Sequence, residues 1–202
     1  MTIAYPNGSG KIFEKPMPSK KKAIEFGKRG MSFEEEINQS NEYYLTRGIA
    51  VIHKKPTPVQ IVRVDYPSRN RAKITEAYFR QASTTDYNGV FQGKYLDFEA
   101  KETKNKTSFP FANFHEHQIT HMENVLSQNG IAFVLLYFSS LNRVFFYPAS
   151  KLIVRFKEKN TRKSIKLSDI ECEGIEITLG FAPRIPYLDA VQVFLQMLTK
   201  TD

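Results

Sequence analysis

Ile131 to Phe138, IAFVLLYF, is an unbroken apolar run, and it limits the fold more than any other part of the chain. A strand with one wet face alternates polar with apolar residues, so a uniformly apolar strand must be covered on both faces and stand at the centre of a sheet. Val144 to Tyr147, across a Ser-Leu-Asn turn, is its expected neighbour. No window approaches 18 uninterrupted apolar residues, which excludes a membrane helix. With 202 residues, 41% apolar and 13% aromatic, the chain has enough for one core with helical layers on a sheet.

The remaining elements follow from local signals. Ser32-Phe33-Glu34-Glu35 has the capping-box pattern, and Phe33, Ile37, Tyr44 and Leu45 keep a helical stripe up to Gly48, so a helix is expected over about Ser32 to Arg47. Ile49 to His53 reads as a short strand. Thr85 to Phe91 and Tyr95 to Lys101 read as a hairpin turning at Gln92-Gly93. Asn113 to Gln128 is a predicted helix with Ile119, Met122 and Leu126 inward. Short strands are expected around Ile153, Ile165 and Ile175, and a last amphipathic helix from about Tyr187 to Thr199. No internal repeat is present.

Two stretches depart from this pattern. Residues 1–30 carry Pro6, Gly8, Gly10, Pro16, Pro18 and Lys20-Lys21-Lys22, too little apolar surface to order alone, and are expected to form a flexible basic arm. Residues 31–202 then make a single domain. Within it, Pro56 to Ser83 is long for a connection and too apolar for disorder, and predicts a projecting hairpin-like insertion.

Charge points to an anionic partner. The net charge is +8 with seven Lys/Arg against two acids from Met1 to Met31 and the same ratio from Lys54 to Gln81, and two basic blocks on a small domain favour nucleic acid. The N-terminus lacks the apolar run of a secretory signal, and Cys172 is the one cysteine, so a cytoplasmic location and an inert thiol are expected.

YLDFEAK (Tyr95 to Lys101) places Leu96, Phe98 and Ala100 on one face and Tyr95, Asp97, Glu99 and Lys101 on the other. A hairpin turning near Gly93 brings Asp86 close to Glu99. Two carboxylates without cysteines suit a hard cation such as Mg²⁺ that keeps waters, and Lys101 on the same side can offset phosphate charge. The parts fit phosphodiester hydrolysis, and they equally fit a surface ion pair between Glu99 and Lys101; spacing leaves both open. His117 and His121 share a helix face at zinc-compatible spacing, but without an HExxH order or cysteine partners they are expected to be satisfied polar residues beside the cleft.

Asp86…Glu99-Ala100-Lys101, set on a hairpin and followed by a helix and an apolar strand, resembles the catalytic core of the restriction-endonuclease-like superfamily of Asp…Asp/Glu-x-Lys nucleases. More closely, GKRGMSFEEEIN (Gly27 to Asn38), YLTRGIAVIHKKPTP (Tyr44 to Pro58), TTDYNGVFQGKYLDFEAKETKNKTSFPF (Thr84 to Phe111) and FHEHQITHM (Phe114 to Met122) resemble the RecU family of Holliday-junction resolvases. The likeness runs over nearly the whole chain from Arg29 on.

The resemblance implies an α/β fold with a mixed central sheet flanked by helices and a stalk over about residues 56–83. It implies a homodimeric, Mg²⁺-dependent endonuclease, with Mn²⁺ as a substitute metal, that cuts four-way DNA junctions symmetrically in recombination and repair. Asp86 and Glu99 would be metal ligands and Lys101 the catalytic lysine. Thr85 stands where the superfamily often has proline, and it joins the candidate ligands together with Gln118 on the following helix. Among Glu34, Glu35 and Glu36, Glu34 matches the family's Gly-Met-x-Phe-Glu run and is the chosen third acid. Asp97 is expected to be solvated or to support the ligands.

Arg69, Arg71 and Lys73 at the stalk tip, with Arg29 and Lys54 near the core, are the expected phosphate contacts. A RecA-type recombinase and a branch-migration motor are expected partners, and no membrane. The rival readings are a non-catalytic basic DNA- or junction-binding protein, and a nuclease acting on other DNA structures.

Overall fold

The computed structural model describes residues 31–68, 71–80 and 84–200. Their centre is a six-stranded mixed sheet built from β1 (Ala50–Lys54), β4 (Tyr87–Phe91), β5 (Lys94–Thr103), β7 (Ile131–Phe138), β8 (Arg143–Pro148) and β10 (Ile175–Ile177), in the order β1-β4-β5-β7-β8-β10. All neighbours are antiparallel except β5 and β7, which run parallel because helix α2 (Glu116–Ser127) carries the chain back between them. As the sequence predicts, β7 is central; seven of its eight residues are buried.

Helices cover both faces. On one side α1 (Phe33–Thr46) and α5 (Tyr187–Leu198) pack Phe33, Ile37, Tyr44, Leu188 and Val191 against Leu96, Phe98, Phe133 and Leu135. On the other, α2, α3 (Ala149–Lys157) and α4 (Leu167–Glu173) pack Ile119, Met122, Leu152, Phe156 and Ile170 against Val134, Leu136 and Phe145. The Ser32 hydroxyl accepts from the Glu35 amide while Glu35 reaches back to the Ser32 amide, so the predicted capping box starts α1. Leu45, expected in the buried stripe, is exposed, and Ser40 and Asn41 take the buried positions instead. Among the described residues no helix is long and apolar enough to cross a membrane.

An aromatic stack sets the sheet register. Tyr87 on β4 lies over Phe98 on β5 with centroids 4.8 Å apart, Phe98 over Phe133 on β7 at 4.7 Å, and Phe133 against Phe146 on β8 at 4.6 Å. Each such pair contributes roughly 0.5–1.5 kcal/mol beyond its buried area, and a one-residue slip would move every ring to the opposite face. The β4–β5 turn is tight, with Gln92 and Gly93 both at positive φ (49° and 72°), the twist a two-residue hairpin requires.

The chain from Pro56 to Arg80 leaves this sheet. Here β2 (Val59–Ser68) and β3 (Arg71–Phe79) pair antiparallel with each other in a sheet of their own, with register irregularities near Arg63 and Asp65. Every described residue of the ribbon is exposed except half-buried Val64. The Arg80 amide donates to the Pro58 carbonyl at 2.9 Å and closes the base. Arg29, Arg69 and the arm lie outside the described residues.

The expected strand around Ile153 is instead helix α3. Ile153 and Val154 are β-branched neighbours, which locally favours extended chain. However, Ala149, Leu152, Ile153 and Phe156 are the buried positions while Val154 is exposed, and this helical period prevails. A short strand β6 (Ser108–Pro110) pairs with β9 (Ser164–Lys166), which contains Ile165 as expected.

Gly89 marks the tightest contact between β1 and β4: a Cβ there would sit 2.1 Å from the Val51 carbonyl oxygen and 2.6 Å from the Ile52 Cα. Gly89→Ala should therefore destabilise the fold by about 1–3 kcal/mol, lowering the thermal midpoint by roughly 3–10 °C. An unchanged midpoint by calorimetry would show that β1 is not held this closely.

Candidate active site

The aromatic stack fixes the site because it places Tyr87 opposite Phe98. One step further along the antiparallel pair, Asp86 falls beside Glu99 on the sheet face covered by α2. The Asp86 amide donates to Glu99 Oε2 at 3.1 Å. Across the next pair, Lys54 lies opposite Tyr87, so Lys55 falls beside Asp86, and its amide donates to the Asp86 carbonyl at 2.7 Å. Lys55, Asp86 and Glu99 thus form a row across three strands.

Glu99 is only 1% exposed. Lys101, two residues on and on the same face, brings its ammonium to 2.8 Å from Glu99 Oε1. Beyond this ion pair, Oε1 is a buried oxygen with no hydrogen-bond partner among the described residues. Such an atom is costly unless something cationic completes it. Burial pushes the Glu99 carboxyl up to about 7; the Lys101 charge pulls it down, and the Asp86 charge raises it further.

Asp97, expected to be solvated or merely supporting, is fully buried. Its Oδ2 accepts from Lys55 Nζ at 2.8 Å and the Tyr95 hydroxyl at 3.0 Å, and lies 3.2 Å from His121 Nε2. Oδ1 accepts from the Thr85 hydroxyl, which itself accepts from Lys55 Nζ at 3.1 Å. Burial raises the Tyr95 phenol pKa, keeping it protonated as the donor. Period-2 alternation alone suggested a half-wet strand. It missed the covering of β5 by α2 on one side and β7 alongside, which takes both acidic positions out of water.

The other predicted residues have these places. Thr85 is buried beside Asp86. Gln118 is buried on α2, where its side-chain oxygen accepts from the His115 amide at 3.1 Å and closes the helix start. Glu34 pairs with Lys54, so each occupies the other, and among the described residues no group of three His, Cys, Asp or Glu is gathered around one point. His121 joins the Asp97 network rather than His117. Burial, with the charges of His115 and Lys101, lowers the His117 pKa. Arg71 and Lys73 are exposed on the ribbon. Asp86 and Glu99 are thus the carboxylates that fit a hard divalent cation, which takes oxygen ligands and fills the rest of its shell with water. The orphaned Glu99 Oε1 is the atom such an ion would satisfy.

The fold is of the α/β class, a mixed six-stranded sheet with helices on both faces. The family model described as RecU, recombination protein U, matches residues 28–193. Proteins named Holliday junction resolvase RecU are 58% identical in Lactococcus lactis subsp. lactis (94% of this chain, 96% of that protein) and 59% identical in Lactiplantibacillus plantarum (95% of each). Among solved structures, Archaeoglobus fulgidus Hjc, a Holliday junction resolvase, aligns at 13% identity with a TM-score of 0.40, over 69% of this chain and 94% of that one. The chain belongs to the RecU family.

The raised Glu99 carboxyl has a measurable consequence without metal. A folded-state value near 7, against 4.5 for the unfolded chain, gives stability that is fully present below pH 4.5 and lost as pH rises through about 7. In EDTA, Glu99→Gln should unfold roughly 5–10 °C higher than the parent at pH 8, the equivalent of roughly 2–3 kcal/mol, and the gap should close by pH 4.5. A gap independent of pH would place the Glu99 carboxylate in water.

Proposed function

We propose that this chain is a structure-specific endodeoxyribonuclease that resolves four-way DNA junctions in recombination and repair, with Mg²⁺ held by Asp86 and Glu99 and with Lys101 acting on the same phosphate. The name borne by the curated relatives supports the substrate. The observation that carries the chemistry is Glu99 Oε1, buried, without a hydrogen bond, and 2.8 Å from the Lys101 ammonium.

Asp86 and Glu99 would hold the cation, which when bound would supply Lewis acidity towards the scissile phosphate and the attacking water. Glu99 must be ionised to hold it, and Lys101 favours that form. Lys101, on the same face as Glu99, would offset charge on the phosphate and orient the water. Asp86, fixed through its own backbone amide and carbonyl, presents its carboxyl from the adjacent strand. Thr85, Gln118 and Glu34 are the further candidate ligands, and Mn²⁺ suits the same oxygen ligands.

Residues 31–202 form the nuclease domain, residues 1–30 a basic arm, and residues 56–83 a stalk. Two such chains in a symmetric dimer present two sites for two cuts of like polarity, as a junction requires. The ribbon, whose described residues are exposed apart from Val64 and include Arg71 and Lys73, suits the open centre of a junction, with Arg69, Arg29 and Lys54 as further phosphate contacts. Action in the cytoplasm beside a RecA-type filament and a branch-migration motor accords with this substrate.

The test compares a mobile four-way junction with a linear duplex of the same sequence, in Mg²⁺ or EDTA. The parent should cut the junction symmetrically in Mg²⁺ alone. Glu99→Gln and Asp86→Asn should bind but not cut, and Lys101→Ala should lose roughly 100-fold in rate. Binding without cleavage by the parent would leave a DNA-binding protein, and equal cutting of both DNAs would leave a nuclease of another specificity. Separately, Arg71→Ala should weaken junction binding and reduce the salt slope by about 1; an unaltered slope would remove the ribbon from the interface.

A further inference from the structure

Lys55 lies at the end of β1, directly ahead of Pro56-Thr57-Pro58 and the ribbon. Its side chain is mostly buried, 19% exposed. Its backbone amide holds the carbonyl of Asp86 at 2.7 Å. Its ammonium reaches Asp97 Oδ2 at 2.8 Å and the Thr85 hydroxyl at 3.1 Å. Thr85 and Asp86 precede β4, outside its paired residues, and thus lack part of a strand's ladder of backbone bonds. What fixes them is Lys55 from one side and β5 from the other.

We propose that Lys55 is a positioning residue for the metal site: it pins Thr85 and Asp86 onto β5 through Asp97, and so sets where the Asp86 carboxyl stands relative to Glu99. This rests on the reading of Asp86 and Glu99 as metal ligands. Asp97 supports the role physically. It is fully buried, and its only cationic partners of fixed charge among the described residues come through Lys55, since His121 is charged only when protonated. A carboxylate held this way is a rigid anchor, because moving it would uncover an unpaired buried charge. The neighbouring Lys54 pairs with Glu34 at the surface and has no such reach.

Groups one layer behind metal ligands typically alter affinity by about 10- to 100-fold. Lys55→Met keeps the backbone amide and the apolar stem but removes the ammonium; Lys55→Arg restores a cation. Mn²⁺ titration by calorimetry should show Lys55→Met binding at least about tenfold more weakly than the parent, with Lys55→Arg recovering most of the loss. In metal-free protein, hydrogen exchange at the amides of residues 85–87 should accelerate in Lys55→Met while those of β7 stay unchanged. Gel shifts in EDTA should show junction binding within twofold of the parent.

If Lys55→Met does not fold, Lys55→Leu, which also removes the ammonium from Asp97 and Thr85, carries the same comparison. Parent-like Mn²⁺ affinity and exchange in the folded variant, with only a lower melting temperature, would overturn the positioning role. If the parent and Glu99→Gln bind Mn²⁺ alike, the failure lies instead with the metal site itself.

Discussion

Everything in the site depends on two carboxylates being taken out of water on one face of β5. Asp97 and Glu99 are two residues apart and equally buried, but they are compensated very differently. Asp97 has an ammonium, a hydroxyl, a phenol and an imidazole around its oxygens. Glu99 has one backbone donor, one ammonium in an ion pair, and an oxygen with no hydrogen bond. The first is an anchor, fully satisfied and costly to disturb. The second carries a charge that burial disfavours, on a carboxylate with one oxygen lacking a hydrogen bond.

The rest of the sheet makes that imbalance possible. The stacked rings of Tyr87, Phe98, Phe133 and Phe146 lock the register on the opposite face, and with it the pairing of Asp86 with Glu99. The parallel pairing of β5 with β7 requires the crossover helix α2, and α2 is the layer that buries the acidic face and contributes His121 and Gln118. Core packing and site geometry are therefore one arrangement seen from two faces.

Much of this was legible in the sequence. The apolar run at 131–138 dictated a central strand, the capping box dictated where α1 begins, and Gln92-Gly93 dictated the hairpin that brings Asp86 to Glu99. What could not be read were properties belonging to the third dimension. Alternation in YLDFEAK looks the same whether the polar face meets water or a helix, so it left Asp97 open between a solvated position and one supporting the ligands. Lys55 sat in a basic stretch beside Lys54, and nothing local separates the one that turns inward from the one that pairs with Glu34. At Ile153 and Val154, local β-preference hid a helical stripe spread over Ala149 to Phe156.

The central claim is that Asp86 and Glu99 close on one divalent ion within reach of Lys101. Crystals of the protein grown with Mn²⁺ and measured for anomalous scattering test it most directly. The account predicts a peak between the Asp86 carboxyl and Glu99 Oε1 at oxygen-ligand distance from both, absent in Glu99→Gln. A peak elsewhere, or one that survives that substitution, would contradict it.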